Sequence, residues 1–147
     1  MKASRPQLTP ENQAKFDDLT ILDGVAFTHD TLLPKLAARR KAGAVALHPV
    51  CSLTKMNLGA KLEGIARFCS DDVTVPLSAG CCAFAGDRGF LHPELTASAT
   101  KHEAAEVKAK GCAEHLSSSR TCEIGMTRAT GEVYRSYMFL LDRVTRD

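Results

Sequence analysis

Ala44-Val45-Ala46-Leu47-His48-Pro49-Val50-Cys51 is the stretch on which the fold turns. Its first four residues are apolar without alternation. A strand with no polar side must be covered on both faces, as strands of parallel sheets are. Pro49 has no N–H to give to a ladder and ends the run, so the chain leaves the strand at its carboxyl end and delivers Cys51 there. Leu58, Leu62, Ile65 and Phe68 recur at helical spacing and predict a helix over 56–68. Asp72-Val73-Thr74-Val75-Pro76-Leu77 reads as the next strand. A strand, a helix and a strand in this order imply a right-handed parallel crossover. The fold class follows: α/β, a small three-layer domain with a short parallel sheet flanked by helices.

Upstream of that unit, residues 1–9 are polar and read as a lead-in, and Thr9-Pro10 supplies a cap and a first-turn proline for a short helix over 10–18. Asp23 caps a second helix running to about Arg40, with Val25, Phe27, Leu32, Leu33 and Leu36 on its apolar side and Pro34 as a bend. Downstream, Pro93 and Glu94 open a long helix rich in Ala, Glu and Lys that closes at Gly111 after Lys110. Thr121-Cys122-Glu123-Ile124-Gly125 reads as a third short strand or loop. After Gly131, Val133, Tyr137, Leu140, Leu141 and Val144 mark a last amphipathic helix. The chain thus divides into a lead-in with a short helix, 1–20, and a cysteine-rich domain, 21–147.

Composition narrows the function classes. A chain of 147 residues is long enough for one real core. Net charge of +2, no Trp and few aromatics leave neither a basic footprint nor a stacking platform, which argues against nucleic acid as a partner. No apolar run approaches the roughly 20 residues of a membrane span, so no transmembrane segment is read. The start, Met1-Lys2-Ala3-Ser4-Arg5-Pro6, is not a secretory signal. The six cysteines therefore read as ligands or free thiols of a reducing compartment rather than as a disulfide scaffold.

The second strand feeds Ala79-Gly80-Cys81-Cys82-Ala83-Phe84-Ala85-Gly86-Asp87-Arg88-Gly89-Phe90. Adjacent side chains on extended backbone face opposite ways, but a glycine-rich loop can aim both sulfurs at one ion. The plainer reading is a tight loop with one buried and one exposed thiol. Cys51, Cys81, Cys82 and Cys122 all fall at or near strand ends, where open parallel sheets form their sites. Four thiolates suit zinc or an iron–sulfur cluster rather than calcium or magnesium. His48 is either a further ligand or a buried histidine bonded to backbone. Ser119 is a weak ligand and reads better as a cap or loop residue. Cys69 and Cys112 read as small buried hydrophobes. His29, His92, His102 and His115 read as surface positions. Asp87 and Arg88 either brace the loop, by pairing with each other or with Glu123, or set the potential of a centre beside them, as Arg120 does next to Cys122.

A lone Cys, a gap, Cys-Cys, a second gap and a Cys-x-x-Cys-like segment, Ser119-Arg120-Thr121-Cys122, resembles the cysteine-rich CCG domain. Through Leu22-Asp23-Gly24-Val25-Ala26-Phe27, Ala46-Leu47-His48-Pro49-Val50-Cys51-Ser52, the Cys81-Cys82 loop and Pro93-Glu94-Leu95-Thr96-Ala97-Ser98-Ala99-Thr100, the chain looks like the C-terminal end of FAD-linked, iron–sulfur D-lactate (D-2-hydroxyacid) dehydrogenases. Ala83 stands where the pattern has Gly, and Ser119 where it has Cys. The resemblance implies a fragment of a larger oxidoreductase that is inactive alone. FAD would sit in an upstream domain, a [4Fe–4S] cluster or zinc at Cys51, Cys81, Cys82 and Cys122, and electrons would pass to a quinone or cytochrome. It implies a cytoplasmic protein, or one peripheral at the inner membrane through its parent enzyme. Alternatives of another class are a structural zinc module that docks the flavin part, and a redox dithiol at Cys81 with Cys82 or Cys51.

Overall fold

A computed structural model describes residues 2–147. Four parallel strands form one sheet: β1 (Val45–Leu47), β2 (Val73–Thr74), β3 (Glu114–Ser117) and β4 (Tyr134–Ser136), in the order β2-β1-β3-β4. Val45 lies opposite Val73 on one side and Glu114 on the other, and Ser117 pairs with Ser136. The α/β class read from Ala44–His48 is therefore what the chain adopts, and β1 is central and fully buried.

The helices explain that burial. Helices α1 (Pro10–Asp17), α2 (Gly24–Phe27) and α3 (Cys51–Lys55) precede α4 (Gly59–Cys69), which connects β1 to β2. Helices α5 (Arg88–Leu91) and α6 (Pro93–Lys110) connect β2 to β3, α7 (Arg120–Thr130) connects β3 to β4, and α8 (Tyr137–Thr145) follows β4. Helix α4 packs with α8, and α6 with α7. Val45 and Leu47 join Leu62, Ile65, Leu140 and Val144 in the larger core, whereas Ala46 joins Val107 of α6. Successive side chains of β1 thus enter two different layers, as period-two alternation requires. From β1 the chain goes to β2 on one side and then returns past β1 to β3 on the other. The order of connection reverses between β1 and β3, and a crevice opens there at the strands' carboxyl ends.

Local differences from the sequence reading have local causes. Asp23 does cap α2, accepting from the Val25 N–H at 2.8 Å. Beyond Phe27, however, the helix loosens into a wider turn over Thr28–Leu32, tightens over Leu33–Lys35, and stops at an extended Leu36 short of Arg40. Pro34, which has no N–H to donate, lies in that last tight turn. The helix expected over 56–68 forms as α4 but begins only at Gly59, because Met56 ends the separate helix α3 and Asn57 takes a left-handed φ of 55° between the two. The segment Thr121–Gly125 is not a strand: Ser119 opens α7, and the third strand lies just upstream at Glu114–Ser117. The last helix begins only at Tyr137, since residues 134–136 pair as β4. Helix α6 closes at Gly111 in the left-handed conformation, with φ of 65°, where the sequence placed it.

Candidate metal centre

His48 is the first residue past β1, and its main-chain N–H still donates to Leu116 O of β3 at 2.9 Å. Alternation decides where its ring goes. Ala46 and His48 share the sheet face covered by α6. On that helix Val107 packs on Ala46, and Glu103, one turn earlier, meets His48. Glu103 Oε1 and His48 Nδ1 are 2.7 Å apart, with the two side chains 2% and 0% exposed. The other ring nitrogen, Nε2, is buried and makes no well-formed hydrogen bond. His48 is thus buried as one reading required, but its ring partner is a carboxylate rather than backbone.

Cys82 comes from the loop after β2, and several groups fix that loop. The Leu77 and Ser78 N–H groups donate to the Glu106 carboxylate of α6 at 2.7 and 3.1 Å. Gly89 N–H donates to Phe84 O at 2.7 Å, and the Arg128 guanidinium of α7 donates to Gly89 O at 3.1 Å. The same guanidinium sits over the rings of Phe84 and Phe90, which meet edge to face at 4.8 Å. Left-handed φ values at Ala83 (53°), Ala85 (45°) and Gly86 (74°) turn the chain sharply after Cys82. Non-glycine residues with such angles are strained and persist only where the surroundings over-determine them. Cys82 ends up buried and Cys81 exposed.

Cys122 lies in the first turn of α7. Close approach of this helix to the loop depends on Gly125, where an added Cβ would sit 3.2 Å from Thr96 Cγ2 and 3.4 Å from the Phe84 ring. The result is a buried trio. The donor atoms of His48, Cys82 and Cys122 all lie within 4.8 Å of one another, and the two sulfurs share a hydrogen bond at 3.1 Å. Its members come from the end of β1, the loop after β2 and the helix after β3, which converge where the connection order reverses.

Electrostatics in the trio are strongly coupled. The hydrogen bond from Cys122 does most to lower the Cys82 pKa. His48 and the Phe84 N–H help it against burial, and the Cys82 thiol is held down to about 4. For His48, burial disfavours the charged ring, but Cys82 and Glu103 together outweigh it and raise the imidazole to about 9. The Cys122 thiol is pushed above its ordinary range, first by its hydrogen bond with Cys82 and then by burial. Without metal, the trio is a Cys82 thiolate between an imidazolium and a thiol.

Of the four expected thiolates only Cys82 and Cys122 join this converging group; Cys51, Cys81 and the remaining expected site residues are not part of it. Cys51 opens α3 and is exposed. Its thiol is raised by partial burial and then by neighbouring Cys81, and Cys82 adds to the effect. Cys81 accepts the Ala83 N–H at 3.4 Å. Ser119 is the capping residue of α7, and its hydroxyl shares a hydrogen bond with Thr121 Oγ1 at 3.1 Å. Asp87 and Arg88 are exposed and enter no ion pair among the described residues. Glu123 pairs with Arg120 at 2.9 Å instead. Bracing of the cysteine loop falls to Glu106 and Arg128. Cys69 and Cys112 are buried thiols of the core, as expected, but His115 is buried beside Tyr134 rather than solvated.

Glu103 was not singled out from the sequence, where it looks like one more charge on an alanine-rich helix. Thr96, Thr100, Glu103 and Val107 nevertheless recur at helical spacing and form the buried stripe of α6. A carboxylate inside such a stripe needs a partner, and that was the available signal. Among the described residues no helix is long and apolar enough to cross a membrane. No family model, curated protein or solved structure matches this chain.

Proposed function

We propose that this chain is the metal-carrying, electron-transferring domain of an FAD-linked D-2-hydroxyacid (D-lactate-type) dehydrogenase. One observation carries the metal-centre part of this reading: three buried soft or borderline donors converge within 4.8 Å, one of them an imidazole nitrogen with no well-formed hydrogen bond. A buried nitrogen left without a partner is costly, and an ion would satisfy it. The donor set fits thiophilic metals rather than hard cations. Cys82 and Cys122 would hold an iron–sulfur cluster, with His48, Cys51 and Cys81 as the remaining ligand candidates and Arg120 as a nearby positive charge. Such a cluster, when bound, takes up and passes on single electrons. The assignment to a D-lactate-type enzyme rests on the sequence resemblance. It carries with it the upstream FAD domain, a quinone or cytochrome acceptor, and a cytoplasmic or membrane-peripheral place.

The imidazole in the donor set favours a second reading, a structural zinc ion held by His48, Cys82, Cys122 and one of the exposed thiols. Purification without oxygen, followed by metal analysis and visible spectroscopy, separates the two. Broad visible absorbance that bleaches on reduction, with iron and sulfide bound and both lost in Cys82→Ser, is the result expected of a cluster. A colourless chain with stoichiometric zinc would transfer the assignment to the zinc module. A chain that retains neither metal when supplied with each would overturn both readings.

A further inference from the structure

We propose that Glu103 is a positioning residue for this centre: by accepting the Nδ1 proton of His48, it makes Nε2 the metal-facing atom. The inference rests on the reading of the trio as a metal site, and adds to it a residue that carries no ligand atom. A neutral imidazole has one protonated and one lone-pair nitrogen, and the hydrogen bond at one of them decides which is free to ligate. Here the pairing is direct, at 2.7 Å between two groups that are almost wholly buried. Nε2 makes no well-formed hydrogen bond, and the ring's other polar neighbour is the Cys82 sulfur, itself a donor of the trio.

The location also has a structural logic. Placing a carboxylate in the buried stripe of α6 has a desolvation cost that a core position would normally avoid. Thr100 donates its hydroxyl to Thr96 O of the same helix rather than to the ring. A merely structural role would be met by any residue that fills the space. The tautomer role needs an acceptor opposite Nδ1. A charged acceptor also raises the basicity of the ligating nitrogen.

The test uses the full chain with Co²⁺ and Zn²⁺ as probes, comparing wild type with Glu103→Leu, which has no acceptor, and Glu103→Gln, which keeps an acceptor without the charge. Metal affinity is read by chelator competition, and the ligand field by the visible bands of the Co²⁺ form. Glu103→Leu is expected to bind roughly 10–100-fold more weakly and to shift the Co²⁺ bands, while Glu103→Gln recovers part of both. Nitrogen-15 NMR of the Zn²⁺-loaded wild type, which needs no variant to fold, is expected to show His48 protonated at Nδ1. Unchanged affinity and unchanged bands in Glu103→Leu, or a His48 protonated at Nε2, would overturn the inference while leaving the metal site standing. A wild type that binds neither ion would overturn the metal site itself, and the role of Glu103 with it.

Discussion

At Cys82 one sulfur meets three groups that favour its charged form: the Cys122 thiol, the His48 ring and the Phe84 N–H. The consequence for stability follows from counting protons in the reduced, metal-free chain. Between about pH 4 and 6.5 the unfolded chain binds a proton at Cys82 that the folded chain does not, while His48 is protonated in both. Stability therefore rises with pH in that interval. From 6.5 to about 9 the folded chain keeps a proton on His48 that the unfolded chain loses, which cancels the Cys82 difference and gives a plateau. Above 9 the folded Cys122 still holds its proton and the unfolded one does not, so stability falls. Urea denaturation across pH should show this shape, and Cys82→Ala should remove the low-pH slope. An identical slope in that variant would refute the assignment of charge to Cys82. The next residue gives a simpler expectation. Ala83 sits at φ 53°, where a Cβ is crowded and glycine is not. Ala83→Gly should stabilise the fold by about 0.5–1 kcal/mol, the relief of crowding exceeding the extra chain entropy of glycine. A lowered urea midpoint would show that the angle carries no strain.

Helix α7 and the cysteine loop meet through glycines, which should tolerate a side chain far less well than a glycine outside that contact. A Cβ on Gly89 would stand 2.5 Å from the Phe84 ring, a fully buried side chain. Gly89→Ala should thus cost about 1–3 kcal/mol through overpacking, read as a lower denaturation midpoint. Gly59, at the start of α4, has nothing within 4 Å of such an atom. Gly59→Ala should be neutral or stabilise by up to about 1 kcal/mol, the helix-propensity difference. Equal losses at the two positions would mean that the Phe84 contact does not limit the loop. Elements of this kind were unequally legible in the sequence. Ala44–Leu47 identified itself as a doubly covered strand because all of its side chains needed apolar surroundings. Helix α6 identified itself through proline, alanine and a closing glycine. Glu114–Ser117 did not, because a strand bearing Glu, His and Ser has no apolar alternation to read, and its burial comes from neighbours. The strand Tyr134–Ser136 was hidden because Tyr137, Leu140, Leu141 and Val144 impose a helical period immediately after it. At the site, the cysteines were visible as residue types. That Cys82 rather than Cys81 turns inward depends on backbone angles at positions 83–86, which no spacing encodes.

Across the whole molecule, the trio brings three segments to one point: the end of β1, the loop after β2 and the start of α7. An ion bound there would close loops that the unfolded chain leaves open, so its binding free energy adds to the stability of the fold. The increment follows mass action and reaches about 2.7 kcal/mol when free metal is a hundredfold above its dissociation constant. For a domain of this size each kcal/mol moves the melting temperature by roughly 2–4 °C. Zn²⁺ added to the fully reduced chain should therefore raise Tm by roughly 5–10 °C at that excess, and chelation should reverse the rise. Cys122→Ser should abolish the shift because it removes one of three converging donors. Cys112→Ser should lower the starting Tm and leave the shift intact, since Cys112 packs with Ala46 and Val107 away from the trio. If Cys122→Ser melts higher with Zn²⁺ by the same margin as wild type, the ion binds elsewhere. The exposed Cys51 and Cys81 would then be the place to look.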